Sequence, residues 1–408
     1  MNEFIKKPEI LSPAGNLEKL TFALNYGADA VYLAGSMFGM RAAAGNFDFE
    51  EMKKGVSLAH EKGKRAYLTL NTMPRNNEIE LLDAYLEQVG DTGVDAVIVA
   101  DLGVFDRVIK RLQGVEVHIS TQGANMNYLS CRMWHDMGAK RVVLARELSL
   151  DDIAEIRAKT PKTLELEAFV HGAMCVSVSG RCLLSEYYLN RDANRGQCAQ
   201  PCRWIYNFAE EKRPDDVLSA ELHPEGTYIF GSKDMNLISH VDKLTRAGID
   251  SFKIEGRMKS AYYTAVVTNA YRIALDNYFS GASDITLEML ERELNSVSHR
   301  EYCTGYYFTH PQEQSNLAEN SGYIKEKAFL ATVEDYCSDT GLALCRQRNK
   351  MYLTECEIIS PGSVGKTFTP CLMTDEKGNP IDSTPHAGML FYLKMPFDVK
   401  KGDIIRGK

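Results

Sequence analysis

The stretch Leu17-Glu-Lys-Leu-Thr-Phe-Ala-Leu-Asn-Tyr-Gly27-Ala-Asp-Ala30-Val-Tyr-Leu33 decides the fold. Leu17, Leu20 and Leu24 recur at helical spacing, and Ala30 to Leu33 form a short apolar run of strand character. Between them Gly27 permits the left-handed conformation that stops a helix, so the boundary has a physical cause. The same punctuation returns at Thr92-Gly93-Val94-Asp95, Met137-Gly138-Ala139-Lys140 and Ala247-Gly248-Ile249-Asp250.

Working outward, strand-like runs begin at Glu9, Ala30, Ala66, Ala96, Val115, Arg141, Leu164 and Ser251. Amphipathic stretches at 17–26, 49–62, 79–92, 103–112, 127–137, 150–159 and 237–247 separate them. Alternating strand and helix patterns point to an α/β fold, a (β/α)8 TIM-type barrel over 1–280 closed by a helix at about 260–277. Beyond it, 281–321 reads as a helical linker, with its helix over 285–297. Short alternating runs over 322–408, broken by Gly, Asp, Asn and Pro turns, predict a small C-terminal all-β barrel domain.

Such a barrel places its chemistry at the C-terminal ends of the strands. One to four residues past those ends, or in a longer loop for Arg41, stand Asn16, Arg41, Asn71, Asp101, Gln122, Arg146, His171, Glu255 and Arg257. Asn and Asp in such places also cap the helix that follows, so some of the set serves the fold alone. Of the rest, Arg257, Arg41 and Arg146 suit a carboxylate, and Asn71 and Gln122 suit a base edge or a hydroxyl. Glu255 joins this substrate-binding set. Glu167 and His171 are candidates for catalysis, four residues apart on one strand.

After the seventh strand comes an insertion over about 172–231, and it holds Cys175-x6-Cys182-x15-Cys198-x3-Cys202. Four thiolates complete one coordination shell, and soft sulfur suits an iron–sulfur cluster or zinc. Zinc-finger and thioredoxin spacings are absent, because the chain has no Cys-x2-Cys. Buried, unliganded thiols are the plainer alternative, and the other six cysteines (Cys131, Cys303, Cys337, Cys345, Cys356 and Cys371) fit that description. Disulfides are disfavoured in a chain with no signal-type N-terminus and no apolar run near 18 residues, which is expected to be cytoplasmic and free of the membrane. The 408 residues carry a net charge of −8, which argues against a protein that coats nucleic acid generically. The cysteine window is locally basic, however, with Arg181, Arg191, Arg195 and Arg203 against Glu186 and Asp192.

The run Glu167-Ala-Phe-Val-His171-Gly-Ala-Met-Cys175-x4-Gly180-Arg181-Cys182 resembles the signature of the U32 family, historically labelled peptidases or collagenases. Ser12-Pro13-Ala14-Gly15-Asn16, Asn194-Arg-Gly-Gln-Cys198-Ala-Gln-Pro-Cys202-Arg-Trp204, Ser232-Lys-Asp234, Lys253-Ile-Glu255-Gly-Arg257 and Arg300-Glu-Tyr-Cys-Thr-Gly305 continue the likeness in order. What the resemblance implies is a [4Fe–4S] cluster as cofactor on Cys175, Cys182, Cys198 and Cys202. It also implies hydroxylation of the tRNA wobble uridine to 5-hydroxyuridine, with prephenate as the small carboxylate co-substrate. Its partners would be tRNA and an unnamed electron donor, with room for a protein partner or a homo-oligomer. Relatives hydroxylate a 23S rRNA cytidine, and peptidase activity is the other class. No His-Glu-x-x-His or Gly-x-Ser-x-Gly run supports the latter; a Cys175/His171 pair is its remaining route.

Overall fold

The computed structural model describes residues 6–41, 45–175, 177, 181–204, 232–281, 284–309 and 323–407. The parts of the insertion and linker at 205–231 and 310–322 lie outside the described residues. By internal contacts the chain divides into two units: 1–24, 28–259 and 299–323, and 25–27, 260–298 and 324–408.

In the first unit the strands are β1 (Glu9–Pro13), β2 (Ala30–Leu33), β3 (Arg65–Leu70), β4 (Ala96–Val99), β5 (Glu116–Ile119), β6 (Arg141–Val143), β7 (Glu165–Ala173), β8 (Asp234–Asn236), β9 (Ser251–Ile254) and β10 (Tyr302–Cys303). Strands β1 to β7 pair in sequence order and all in parallel, and β9 pairs in parallel with both β7 and β1. Eight strands therefore close on themselves, and the eight expected runs are the eight staves. The glycines that punctuate the sequence have φ of 103° (Gly27), 77° (Gly93), 110° (Gly138) and 83° (Gly248), the left-handed region where a side chain is strained. Strand β7 runs on past the barrel rim, where His171 to Ala173 pair antiparallel with β8, and β10 adds to β8. This small extension does not show in the pattern, because two- and three-residue strands carry no periodicity.

Apolar side chains such as Leu11, Tyr32, Tyr67, Ala96 and Ile98 pack together in the barrel. A buried ionic column fills the rest of the interior. At the N-terminal ends of the strands Arg141 pairs with Glu9 (2.6 Å) and Glu165 (2.7 Å), and Tyr67 donates to Glu9 at 2.6 Å. One layer higher Glu167, wholly buried, bridges Arg141 (3.0 Å) and Lys253 (2.6 Å). Leaving one member of such a set unpaired is costly, on the order of 3–5 kcal/mol.

In the second unit, helices Ala261–Ser280 and Leu287–Asn295 group with strands β11 (Phe329–Cys337), β12 (Leu342–Gln347), β13 (Cys356–Ile359), β14 (Lys366–Phe368), β15 (Met373–Thr374), β16 (Leu390–Lys394) and β17 (Ile404–Gly407). Buried Arg406 explains that grouping: it pairs with Glu293 and Glu357, both at 2.7 Å, and donates to Tyr262 and Ser296. The seven strands form one antiparallel sheet in the order β14-β13-β17-β11-β12-β16-β15. Its short edge strands do not pair with each other among the described residues, so the domain is a half-barrel where the sequence suggested a barrel. Of the six cysteines outside the window, Cys131, Cys345 and Cys356 are buried as expected, Cys303 is half-buried, and Cys337 and Cys371 are exposed. Among the described residues no helix is long and apolar enough to cross a membrane.

Candidate active site at the barrel mouth

At the C-terminal ends of the strands opens a cavity of about 1280 Å³, mouth included. All four window cysteines line it, and so do Arg41, Asn71, Gln122, Arg146, Glu255 and Arg257. Residues up to 216 positions apart in the sequence, Arg41 and Arg257, thus meet around one space.

The electrostatics centre on Glu255. Arg41 and Arg146 each approach it at 3.8 Å. Burial would raise its carboxyl, but Arg41, Arg146, Arg257 and Lys253 outweigh that effect and hold it below the usual range, ionised. Arg146 also donates to the Ala173 carbonyl at 2.7 Å and lies 3.8 Å above the Phe169 ring, so its direction is fixed twice. Arg41 adopts φ of 72°, an uncommon conformation for a residue with a side chain. Burial works against its charge, and Glu255, Cys198 and Cys175 more than compensate.

Arg257 differs from its neighbours. It is 3% exposed, its Nη1 has no hydrogen-bond partner, and among the described residues no carboxylate lies within ion-pair distance. Desolvation pushes it down to about 10. Its backbone explains Gly15: a Cβ there would stand 2.4 Å from the Arg257 carbonyl oxygen, so only glycine fits beneath this turn. Gln122 is also buried, with Oε1 unpartnered, while its carbonyl accepts from Arg181 at 2.7 and 3.0 Å. A buried cation and a buried acceptor without partners call for a ligand with an anionic group and a donor.

Other expected residues serve the fold. Asn71 uses both ends of its amide, accepting from the Met40 N–H (3.2 Å) and donating to Ser120 Oγ (3.3 Å), so it ties a loop to the rim. Asn16 and Asp101 cap helices, accepting from the N–H groups of Lys19 and Val104. Neither catalytic candidate lines the cavity. Glu167 belongs to the ionic column below it. His171 is buried where β7 meets β8, against Tyr302 at 5.4 Å, and desolvation pushes it down to about 3, which keeps it neutral. The sequence reading missed Lys253, which lines the cavity floor and reaches down to Glu167. Its signal was present in Lys253-x-Glu255, where strand spacing of two puts both side chains on one face.

The cysteines are braced by their own segment. Asn194 accepts from the Cys182 N–H (3.3 Å) and donates to its carbonyl (3.1 Å). The Leu184 N–H points at Cys182 Sγ (3.4 Å), and the Ser185 hydroxyl at Cys198 Sγ (3.9 Å). Donors aimed at sulfur are what a thiolate ligand accepts. Among the described residues no three His, Cys, Asp or Glu side chains converge on a single-ion site. A mononuclear zinc needs its sulfurs about 2.3 Å from one point. A four-iron cluster instead needs four thiolates spread around a cube, and four cysteines, Cys175, Cys182, Cys198 and Cys202, line this one cavity.

A closed parallel barrel whose mouth is lined by four thiols defines a barrel scaffold with a cysteine-bearing insertion. The chain belongs to peptidase family U32: the model of that family matches 15–317 and that of its C-terminal domain 325–406. It is 36% identical over 406 residues to tRNA hydroxylation protein P1 of Bacillus subtilis, covering 98% of this chain and 95% of that one. A collagenase of Porphyromonas gingivalis is 33% identical, with 82% of each chain covered. A 23S rRNA 5-hydroxycytidine synthase of Escherichia coli is 37% identical over 68% of this chain and 40% of its own length.

Proposed function

We propose that this protein hydroxylates tRNA, converting the wobble uridine to 5-hydroxyuridine, with a [4Fe–4S] cluster on Cys175, Cys182, Cys198 and Cys202 and prephenate as co-substrate. The observation that carries the proposal is the shared cavity, in which six polar residues from five strand ends face the same space as four thiols. Kinship over nearly the full length of a tRNA hydroxylation protein supports it. The proposal sets the reaction in the cytoplasm, where tRNA is found.

Replacing a ring C–H by C–OH adds one oxygen atom and removes two electrons. A bound cluster supplies one-electron transfer, tuned by hydrogen bonds to its sulfurs. The chain's own residues bind and orient. Arg257 takes a carboxylate, with Arg146 and Arg41 held in place by Glu255. The Gln122 Oε1 acceptor suits the N3–H of uracil. Lys253, held by Glu167, keeps the floor cationic, and the apolar walls formed by Tyr32, Ile98, Val143 and Phe169 exclude water.

Peptidase chemistry has less support. No histidine lines the cavity among the described residues, so neither a zinc triad nor a Cys175/His171 pair assembles there. A Cys175 nucleophile would also have to use a thiol that the proposal assigns to the cluster. The rRNA synthase shares only part of its length with this chain, which favours tRNA. Deletion of the gene, followed by mass spectrometry of bulk tRNA nucleosides, is expected to show loss of 5-hydroxyuridine and its derivatives. Unchanged tRNA with altered 23S rRNA, or unchanged RNA with casein or gelatin cleavage by the purified protein, would refute it.

A further inference from the structure

The cysteine-bearing segment carries a feature that coordination of a cofactor does not use. Tyr187 is 82% exposed, Tyr188 45% and Trp204 39%, and the three rings adjoin one another. Tyr187 and Tyr188 stand 5.1 Å apart at 84°, and Tyr188 and Trp204 6.3 Å apart at 49°. Aromatic rings grouped at the surface and exposed to water mark a binding surface more often than a scaffold. This one adjoins the cavity: Cys182 and Leu184, just before the tyrosines, and Pro201 and Cys202, just before the tryptophan, line its mouth.

We propose that Tyr187, Tyr188 and Trp204 form a stacking platform for single-stranded RNA, holding the bases next to the nucleotide that enters the cavity. The platform rests on the tRNA reading above and adds the surface that would select an unpaired loop. A base can enter an enclosed barrel mouth only by leaving its stack, which strips its neighbours of a stacking partner. Exposed rings beside the mouth replace that partner, and they do so for any base, since every base has a π face. Charge favours RNA over a protein partner. Residues 181–204 hold four arginines and two acids, a local excess of +2 in a chain of net charge −8. Arg191 is exposed and has no ion pair among the described residues, and the Arg181 guanidinium donates to a carbonyl rather than a carboxylate, so neither charge is neutralised. Phosphates flanking the everted nucleotide would meet these two cations.

The test exploits the tryptophan count, which is two, Trp134 and Trp204. In iron-loaded full-length protein carrying Trp134→Phe, a 17-nucleotide uridine-containing hairpin RNA with a seven-base loop is expected to quench Trp204 fluorescence, and a blunt duplex of equal length to leave it unchanged. Tyr187→Ala and Tyr188→Ala should each weaken hairpin binding about tenfold, with iron content and thermal midpoint unchanged. Tyr188→Phe should retain binding, because stacking needs the ring and not the hydroxyl. Equal binding of hairpin by wild type and the alanine variants would overturn the platform and leave the tRNA reading standing. So would altered self-association of the alanine variants with unchanged RNA affinity, which would make the patch a protein surface. Loss of 5-hydroxyuridine in the gene deletion is scored separately, and its absence would remove the tRNA reading whatever the rings do.

Discussion

Replacing Arg257 with methionine keeps much of the side chain's length and removes its charge, and the structure gives opposite expectations for stability and activity. The guanidinium is buried at the cavity floor with no carboxylate in ion-pair range among the described residues. Burial pushes it down from its ordinary value to about 10, which at 1.36 kcal/mol per pH unit corresponds to about 3 kcal/mol held against the ligand-free protein. The folded state releases this proton before the unfolded state does, so stability rises with pH only above about 10, and at neutral pH the whole penalty is present. Arg257→Met is therefore expected to raise the thermal midpoint of the iron-loaded protein by several degrees, by the same amount at pH 6 and pH 9. In a complemented deletion strain the same variant should lower tRNA 5-hydroxyuridine by more than tenfold, since a buried charge contact with the ligand is lost. Iron content should stay as in wild type. A variant that is destabilised by more than about 1 kcal/mol would show that Arg257 holds the fold, and one with normal tRNA would show that the anion binds elsewhere.

Protein purified without oxygen should contain about four irons per chain and absorb broadly in the visible, and Cys182→Ala should lose most of that iron; one zinc per chain in its place would rule out the cluster. Glu167→Ala leaves Lys253 and Arg141 facing each other in the barrel, and should cost about 3–5 kcal/mol in denaturant unfolding; a loss below 1 kcal/mol would mean the ionic column is not structural. Because Glu167 is held at about 2, below its usual 4.5, its contribution of about 3 kcal/mol should be complete above about pH 4.5 and fade as pH falls towards 2; an acid unfolding curve of Glu167→Gln parallel to wild type would contradict this. Gly15→Ala drives a methyl into the Arg257 carbonyl and should reduce hydroxylation while iron stays bound; full activity would show the turn is freer than its 2.4 Å approach implies.

By itself the sequence determined what rests on local pattern. Helical and period-two spacing, with glycines free to take positive φ, marked eight strands and their stops, and each became a barrel stave. Because a parallel barrel gathers the ends of its strands, knowing the staves was enough to name six residues that line the cavity, and four cysteines in one window were already neighbours along the chain. Only the tertiary structure could tell a ligand-facing side chain from a cap or a strut at the same distance past a strand, since that depends on partners far away. Asp101 and Asn71 look alike in sequence, yet one caps a helix and the other ties down a loop 31 residues earlier. Glu167 stood out as a candidate for catalysis, but Lys253, 86 residues on, makes it a structural ion pair. The half-barrel's open edges were settled the same way: strands of two and three residues have no period to read, and their pairing is decided by what packs beside them.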